Sequence, residues 1–405
     1  MRSSNKIYTC TQSNIKALLK QENLHAGGKK QIFLTWIMDA NFPPVMFGQS
    51  SLKLYLDNKA RYSNMTTGLS GKKILFITTQ FYGYEKAIIR SLKDQGAELK
   101  VYYDDPVSYT RIKFLKSAIR RRTRSFVNRH YRAYILRKTA RRKFDYIFFL
   151  KGSIMSEPFL KALRSAHPGA LLIQYQWDSL ANFNNAHLIH CFDVSYTFDK
   201  ADAERVPSLT YMPTFALDEF FDIRNKKRST KKDLDVSFVG SNHSDRLQIL
   251  RNLRRRLKNA GFAYRFYLYL PVMVSLKSVL ITRKMKPDEF TIGPLSRSKY
   301  KKLLLRSRYV LDLPSPKQTG ISLRTYEALA SGCGLITTSK TISEEPFFDE
   351  KHIFVIEPDF LNESITALLQ REYSPDLLLS FDEYSLSSWV KKIFSFEKED
   401  AEDII

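Results

Sequence analysis

Ser322, Arg324 and Glu327 stand within six residues of one another in the stretch GISLRTYEALASGCGLITTS, residues 320–339. Free backbone N–H groups ahead of a helix, with the positive end of its dipole behind them, attract anions. A carboxylate one turn further on can accept both hydroxyl hydrogens of a ribose. Ser322 is a residue type that caps helix starts. Ala328, Ala330, Ser331, Gly332 and Gly334 keep the helix slender near its end, so that it can lie close to a sheet, and Gly332 suits the left-handed position that terminates it. The same residues also describe an ordinary capped helix with a surface Arg and Glu, and spacing alone leaves both readings open.

A second constellation follows the apolar run 236–239. Gly240 lets a ligand approach the backbone, Ser241 and Asn242 can donate hydrogen bonds, and Arg246, opening the next helix, can neutralise a leaving diphosphate. Against this, Arg251 and Arg254–256 on the same helix make a solvated basic face an equal reading of Arg246. Asp178 in Tyr175-Gln-Trp-Asp-Ser179 is a candidate base for an acceptor hydroxyl, or a helix cap. His243, His187 and His190 are further acid/base candidates, with His243 favoured by its turn; a lone histidine is more often structural. Tyr82, Gly83 and Tyr84, in the loop after the first apolar run, are candidates for an acceptor pocket. The Asp233-Leu-Asp235 pair sits at a strand entry and is not a persuasive metal-binding loop, so no metal is expected.

These residues need sheets to hold them. Apolar runs at 74–77, 99–103, 146–150, 171–175, 194–197 and 210–212 alternate with helical spacing at 85–95 and 157–166. The second half repeats the scheme. Runs at 236–239, 264–270, 290–292, 309–313, 335–338 and 353–356 alternate with helices over 245–259, 299–306, 323–331 and 360–371, and a last helix spans 385–393. Such alternation builds parallel sheets. The expected fold is α/β, with two Rossmann-like doubly wound domains facing a cleft. Residues 1–70 form an N-terminal extension, 71–220 a first Rossmann-like domain with a basic helical insertion at 107–144, and 234–384 a second. A charged connection at 224–233 joins the two domains, and residues 385–405 form a C-terminal helix and acidic tail. A chain of 405 residues exceeds what one hydrophobic core usually supports.

Three cysteines, Cys10, Cys191 and Cys333, make neither a disulfide framework nor a metal-ligand spacing, which fits a reducing cytoplasm. No apolar stretch suits a signal peptide or a membrane span. The net charge of +24 is concentrated: residues 106–144 contain no Asp or Glu, while 111–143 contain 14 Lys and Arg. Leu115, Ile119, Phe126, Val127, Tyr131, Ile135 and Leu136 fall near helical spacing among them. A basic amphipathic helix suits an anionic membrane surface. It also describes a solvated charged helix. Nucleic acid is a further possible partner, but no recognition signature accompanies the charge, and no specific nucleic acid is expected.

Residues 320–338 resemble the donor-site helix of GT-B glycosyltransferases. The pattern Arg324-x-x-Glu327-Ala-Leu-Ala-x-Gly332-x-x-Leu-Ile-Thr337 is similar to R-x-[FY]-E-A-x-A-x-G-x-x-[LI]-[IV]-T of the group 1-like, spore-maturation-type branch found in bacterial envelope polysaccharide biosynthesis. The resemblance runs through about 235–395, including Asp235–Arg246, Thr291-Ile-Gly-Pro-Leu295 with Gly293, and Tyr309–Pro314. It implies that Glu327 binds the ribose of a nucleotide-sugar donor, that Gly320, Ile321 and Ser322 hold the diphosphate through backbone amides, and that Arg324 meets phosphate. In many retaining members a second carboxylate precedes the Glu by eight residues; here Thr319 stands there.

The expected activity is therefore metal-independent transfer of a sugar from a nucleotide-diphosphate sugar, as co-substrate with no cofactor, to a glycan or lipid-linked acceptor of lipopolysaccharide or capsule. The expected location is the cytoplasm, at the inner face of the membrane through 111–143. Two alternatives remain: a sugar-nucleotide epimerase of the same fold, and a non-catalytic basic protein that binds nucleic acid or membrane.

Overall fold

The structure, a computed structural model, describes residues 68–104, 117–227, 232–242, 245–270, 286, 289–314, 319–357, 361–371, 373 and 381–395. The N-terminal extension lies outside the described residues.

The first lobe opens with β1 (Lys73–Thr78), α1 (Tyr84–Asp94) and β2 (Glu98–Tyr103). Gly96, at φ 92°, makes the left-handed turn that lets α1 fold back into β2. The basic helix α2 (Ser117–Thr139) leads into β3 (Tyr146–Leu150), α3 (Glu157–Ala166) and β4 (Leu171–Gln176). A 3₁₀ turn at Ala186–Cys191, then β5 (Val194–Thr197), α4 (Lys200–Arg205), β6 (Thr210–Tyr211) and α5 (Asp218–Lys227) complete the lobe. Its six strands are all parallel, in the order β2-β1-β3-β4-β5-β6.

The second lobe runs β7 (Leu234–Ser241), α6 (Arg246–Asn259), β8 (Tyr264–Leu270), β9 (Thr291–Ile292), α7 (Arg297–Arg306), β10 (Ser307–Asp312), α8 (Leu323–Ala330), β11 (Gly334–Thr337), β12 (Ile353–Val355), α9 (Leu361–Leu369) and α10 (Leu386–Ile393). Its sheet is also parallel, in the order β12-β11-β10-β7-β8-β9. The expected α/β class with two doubly wound sheets is the observed one. Both sheets bury strands on each face, which is why their sequences read as nearly continuous apolar runs.

Strand order reverses between β1 and β3 in the first sheet and between β7 and β10 in the second. The crevices outside the carboxyl ends of such pairs are where open α/β sheets bind ligands. A core of residues from both lobes joins the sheets. Tyr175, Phe215 and Trp389 pack together with ring centroids 4.8 and 4.9 Å apart, and Phe394 meets Phe148. The C-terminal helix α10 thus returns to the first lobe, and Ala216 and Ser385 pair as an isolated bridge.

Two expectations change. The segment read as a charged connection from residue 224 is helical to Lys227, because Phe220 and Ile223 of α5 are buried in the shared core. In α2, Ile135 is buried and Tyr131 and Leu136 pack inward on the first lobe, but Phe126, counted among the same apolar stripe, lies 57% exposed on the opposite face.

Candidate functional site

Strand β10 delivers Asp312, 1% exposed, to the amino end of α8. Its carboxylate accepts hydrogen bonds from Ser322 Oγ and Thr325 Oγ1, both at 3.2 Å, and lies 3.6 Å from the Arg324 guanidinium. Ser322 Oγ in turn accepts from Thr325 N, capping α8. At the far end Gly332, with φ 69°, turns the chain so that Cys333 N donates to Ala328 O at 3.0 Å, and β11 can start directly. Sequence reasoning quoted the strand that carries Asp312 without assigning the residue a role. Its signal was a carboxylate at the carboxyl end of a buried strand.

Glu327 sits one turn into α8, 3% exposed. The Tyr84 hydroxyl, at the start of α1 in the first lobe, donates to Glu327 Oε1 at 2.5 Å. Burial raises the Glu327 pKa to about 7, against the opposing effect of Tyr84 and of the Arg324 and Arg297 guanidiniums. The Tyr84 hydroxyl is held well above its usual pKa by burial and then by the Glu327 charge, so it remains a donor. Arg297 of α7 lies over the Tyr84 ring, 5.7 Å from its centroid, and donates to Tyr82 O at 3.4 Å. Gly83 takes φ 82°, and a Cβ there would come within 3.3 Å of Arg297 Nη2. Tyr82 reaches across to Tyr269 of β8, with the hydroxyls 3.2 Å apart. The loop expected to shape an acceptor pocket is thus docked on the second lobe.

Ahead of α8, Thr319 N and Gly320 N both donate to Asp199 Oδ2, at 3.2 and 3.1 Å, and Thr319 Oγ1 donates to Asp199 Oδ1. Asp199 belongs to the first lobe, just past β5, and is 2% exposed. A Cβ on Gly320 would lie 2.5 Å from the Phe198 ring, so only glycine lets the lobes close here. Ile321 is buried, 4% exposed. Asp199 escaped the sequence reading because its local signal is that of a helix cap, and it does cap α4 through Asp202 N at 3.4 Å. Close by, Lys200 and Tyr211 of the first lobe meet the buried Glu345 of the second at 3.0 and 2.7 Å.

Arg246 is 6% exposed and spans the β7–β10 switch point. Its Nε and Nη2 donate to Leu313 O, the former at 2.8 Å, and Nη1 donates to Ser241 O at 3.0 Å. Burial and then the Arg324 charge lower its pKa to about 10. Three of its donor contacts therefore go to backbone carbonyls of its own lobe. Gly240 is required by packing, since a Cβ would lie 2.7 Å from the Phe238 ring and 3.2 Å from Arg246 Nη1. Gly293 turns with φ 73° after β9 into open space.

Asp178, after β4, forms an ion pair with Lys151 at 2.6 Å, with both side chains about one-third exposed. His187 and His190 are exposed on the 3₁₀ turn, His190 4.0 Å from Glu157 of α3. His243 lies outside the described residues. Among the described residues no group of three or more His, Cys, Asp or Glu is placed to hold a metal ion, and no helix is long and apolar enough to cross a membrane.

Known proteins resemble this chain in the second lobe's sequence and in fold. Residues 246–374, from α6 through α8 to Tyr373, match the family described as glycosyl transferase-like. No curated protein matches the sequence. Among solved structures, UDP-N-acetylglucosamine 2-epimerase from Rickettsia bellii superposes with a TM-score of 0.51 at 14% identity, over 80% of this chain and 94% of that one. The N-terminal domain of trehalose-6-phosphate phosphatase from Candida albicans gives 0.50 at 11% identity, over 84% and 98%. MurG from Acinetobacter baumannii gives 0.45 at 12%, over 79% and 95%. The fold is of the GT-B type, and the second lobe carries a glycosyltransferase-like domain.

Proposed function

We propose that the protein is a metal-independent glycosyltransferase that moves a sugar from a nucleotide-diphosphate sugar to a glycan or lipid-linked acceptor in lipopolysaccharide or capsule biosynthesis. The observation that carries this reading is the position of Glu327. It is a buried carboxylate in the matched segment, one turn behind backbone amides already turned toward an anion, and it faces the opposite lobe. In the reaction the acceptor oxygen bonds to the anomeric carbon. The bond from that carbon to the distal phosphate oxygen breaks, and its electron pair leaves with the nucleoside diphosphate. The amides at 319–322, the dipole of α8 and Arg324 stabilise that charge. Asp178 is the proposed acceptor of the hydroxyl proton, and Lys151 positions it.

A membrane-borne acceptor fits the first lobe. The outward face of α2 carries Phe126 and Tyr134, 57% and 40% exposed, with Arg129 and Lys138 stacked on their rings at 5.8 and 5.9 Å. Aromatic and cationic groups together suit the headgroup region of an anionic bilayer.

The test is a panel of UDP-, GDP-, ADP- and CMP-sugars with binding read by calorimetry. Glu327→Ala should weaken nucleoside-diphosphate binding by about a hundredfold, the loss of two charge-assisted hydrogen bonds. Equal affinity of variant and wild type would remove the donor-site assignment. Isomerised sugar nucleotide released without acceptor would favour the epimerase instead.

A further inference from the structure

The donor site just described is filled by the protein's own side chains, and each occupant has the chemistry of the ligand part it replaces. A hydroxyl, that of Tyr84, sits on the carboxylate proposed for the ribose diol. A carboxylate, that of Asp199, sits on the amides proposed for the diphosphate. Both come from the first lobe and both targets lie in the second. Asp199 is 2% exposed, and Glu327, which the partly buried Tyr84 meets, is 3% exposed.

We propose that Tyr84 and Asp199 are intramolecular stand-ins for the ribose hydroxyl and the diphosphate of the donor, so that donor binding must displace both and the two residues set which nucleotides the site admits. This rests on the donor-site reading above and extends it to a residue, Asp199, and a role, that of Tyr84, that the reading does not contain.

The physical consequence is a threshold. A ligand that competes with a contact already made binds with its intrinsic affinity reduced by the fraction of molecules in which the site is free. A nucleoside can displace Tyr84 but offers nothing to the Thr319 and Gly320 amides. Pyrophosphate can displace Asp199 but offers nothing to Glu327. Only a nucleoside diphosphate replaces both, and only it compensates for both lost contacts. The site therefore discriminates by requiring the two chemistries together.

The two contacts can be separated by conservative substitutions. Asp199→Asn keeps the shape and the α4 cap oxygen but removes the charge. Tyr84→Phe removes only the hydroxyl. Thr319→Val removes one of the three donors that hold Asp199 without touching α4, and guards against a folding defect in the first variant. Binding of UDP, GDP, inorganic pyrophosphate, uridine and guanosine is measured by calorimetry at pH 8, with thermal melts to verify folding. Asp199→Asn and Thr319→Val should bind pyrophosphate about tenfold more tightly than wild type with nucleoside binding unchanged. Tyr84→Phe should tighten the nucleoside by a similar factor and leave pyrophosphate unchanged. The double variant should bind the nucleoside diphosphate more tightly than either single one. Wild-type nucleotide binding that is unchanged or weaker in the folded variants would overturn the stand-in role and leave the donor site intact, since the residues would then be ligand contacts or bystanders. Failure of every form to bind any nucleotide would instead sink the donor-site reading, and this inference with it.

Discussion

The two lobes each bring a basic side chain to the carboxyl end of the sheet beside its switch point, and the surroundings of the two differ. In the second lobe Arg246 is buried and its donors meet Leu313 O and Ser241 O. In the first lobe Lys151, just after β3, is partly exposed and meets Asp178, while its backbone sits at φ 70°. Around Arg246, Asp312 has three partners. Around Lys151, Asp104 is 1% exposed with Oδ1 unpaired among the described residues, and burial raises its pKa although Ser153 N donates to it at 2.7 Å. Gln174 Oε1, Gln176 Oε1 and Ser195 Oγ, on the facing strands β4 and β5, are likewise buried without partners. The contrast is between Arg246 and Asp312, whose side chains meet partners within the second lobe, and the surroundings of Lys151, where several buried polar atoms have no hydrogen-bond partner among the described residues.

The contrast breaks most visibly at Arg246. Replacing it by Met leaves two carbonyls at the switch point unpaired and should lower unfolding free energy by about 3 kcal/mol. Lys should not restore it, because one ammonium cannot span both carbonyls as the fork does. Urea denaturation checks this, and a loss below about 1 kcal/mol would mean that Arg246 is not the pin of the second lobe. The outer face of the first lobe carries the next effect. Neutralising Arg129, Arg137 and Lys138 to Gln should weaken partition onto phosphatidylglycerol vesicles by about a hundredfold, at roughly 1 kcal/mol for each charge. Unchanged partition, or equal binding to neutral vesicles, would detach the basic helix from the membrane.

The seam between the lobes responds to pH. The folded pKa of Glu327, about 7, lies above the ordinary carboxylate value near 4.5. Its contribution to stability is therefore full below pH 4.5 and is lost as pH rises through 7. Ribose recognition needs the carboxylate, so affinity runs the opposite way. A nucleotide-diphosphate sugar, whose phosphates do not titrate in this range, should bind about tenfold more weakly at pH 6 than at pH 8. Glu327→Gln should flatten both profiles. An affinity independent of pH in the wild type would place the titration elsewhere.

How much of this could be read from residues alone follows the same divide. Strands such as 146–150 and 171–175 are legible in the sequence to within a residue or two, because a parallel strand buried on both faces has no choice but to be apolar. The α8 segment was legible because capping and C-terminal glycine signals are local. Short polar α4 went unnoticed, since six residues of the type KADAER carry no periodicity. The charged end of α5, residues 224–227, reads as part of a connection because the apolar residues that hold the helix, Phe220, Phe221 and Ile223, all precede it. The Tyr84–Glu327 and Asp199–Gly320 contacts join residues 243 and 121 positions apart. They depend on how the two sheets face one another, which no local pattern encodes.

The smallest effect isolates the backbone of the first lobe's counterpart to Arg246. A side chain at φ 70° costs about 1 kcal/mol relative to glycine, because Cβ crowds the carbonyl in the left-handed region. The Lys151–Asp178 ion pair, partly exposed, is worth about 0.2–1 kcal/mol. Lys151→Ala loses the pair and keeps the strain, whereas Lys151→Gly loses the pair and relieves it. The glycine variant should therefore be more stable than the alanine variant by about 1 kcal/mol, less the greater entropy of its unfolded chain. If turnover also requires Lys151 to position Asp178, both variants should lose activity alike despite this difference in stability. Stability and activity that rise together in the glycine variant would mean that the strain, rather than the ammonium, is what the first lobe keeps at its switch point.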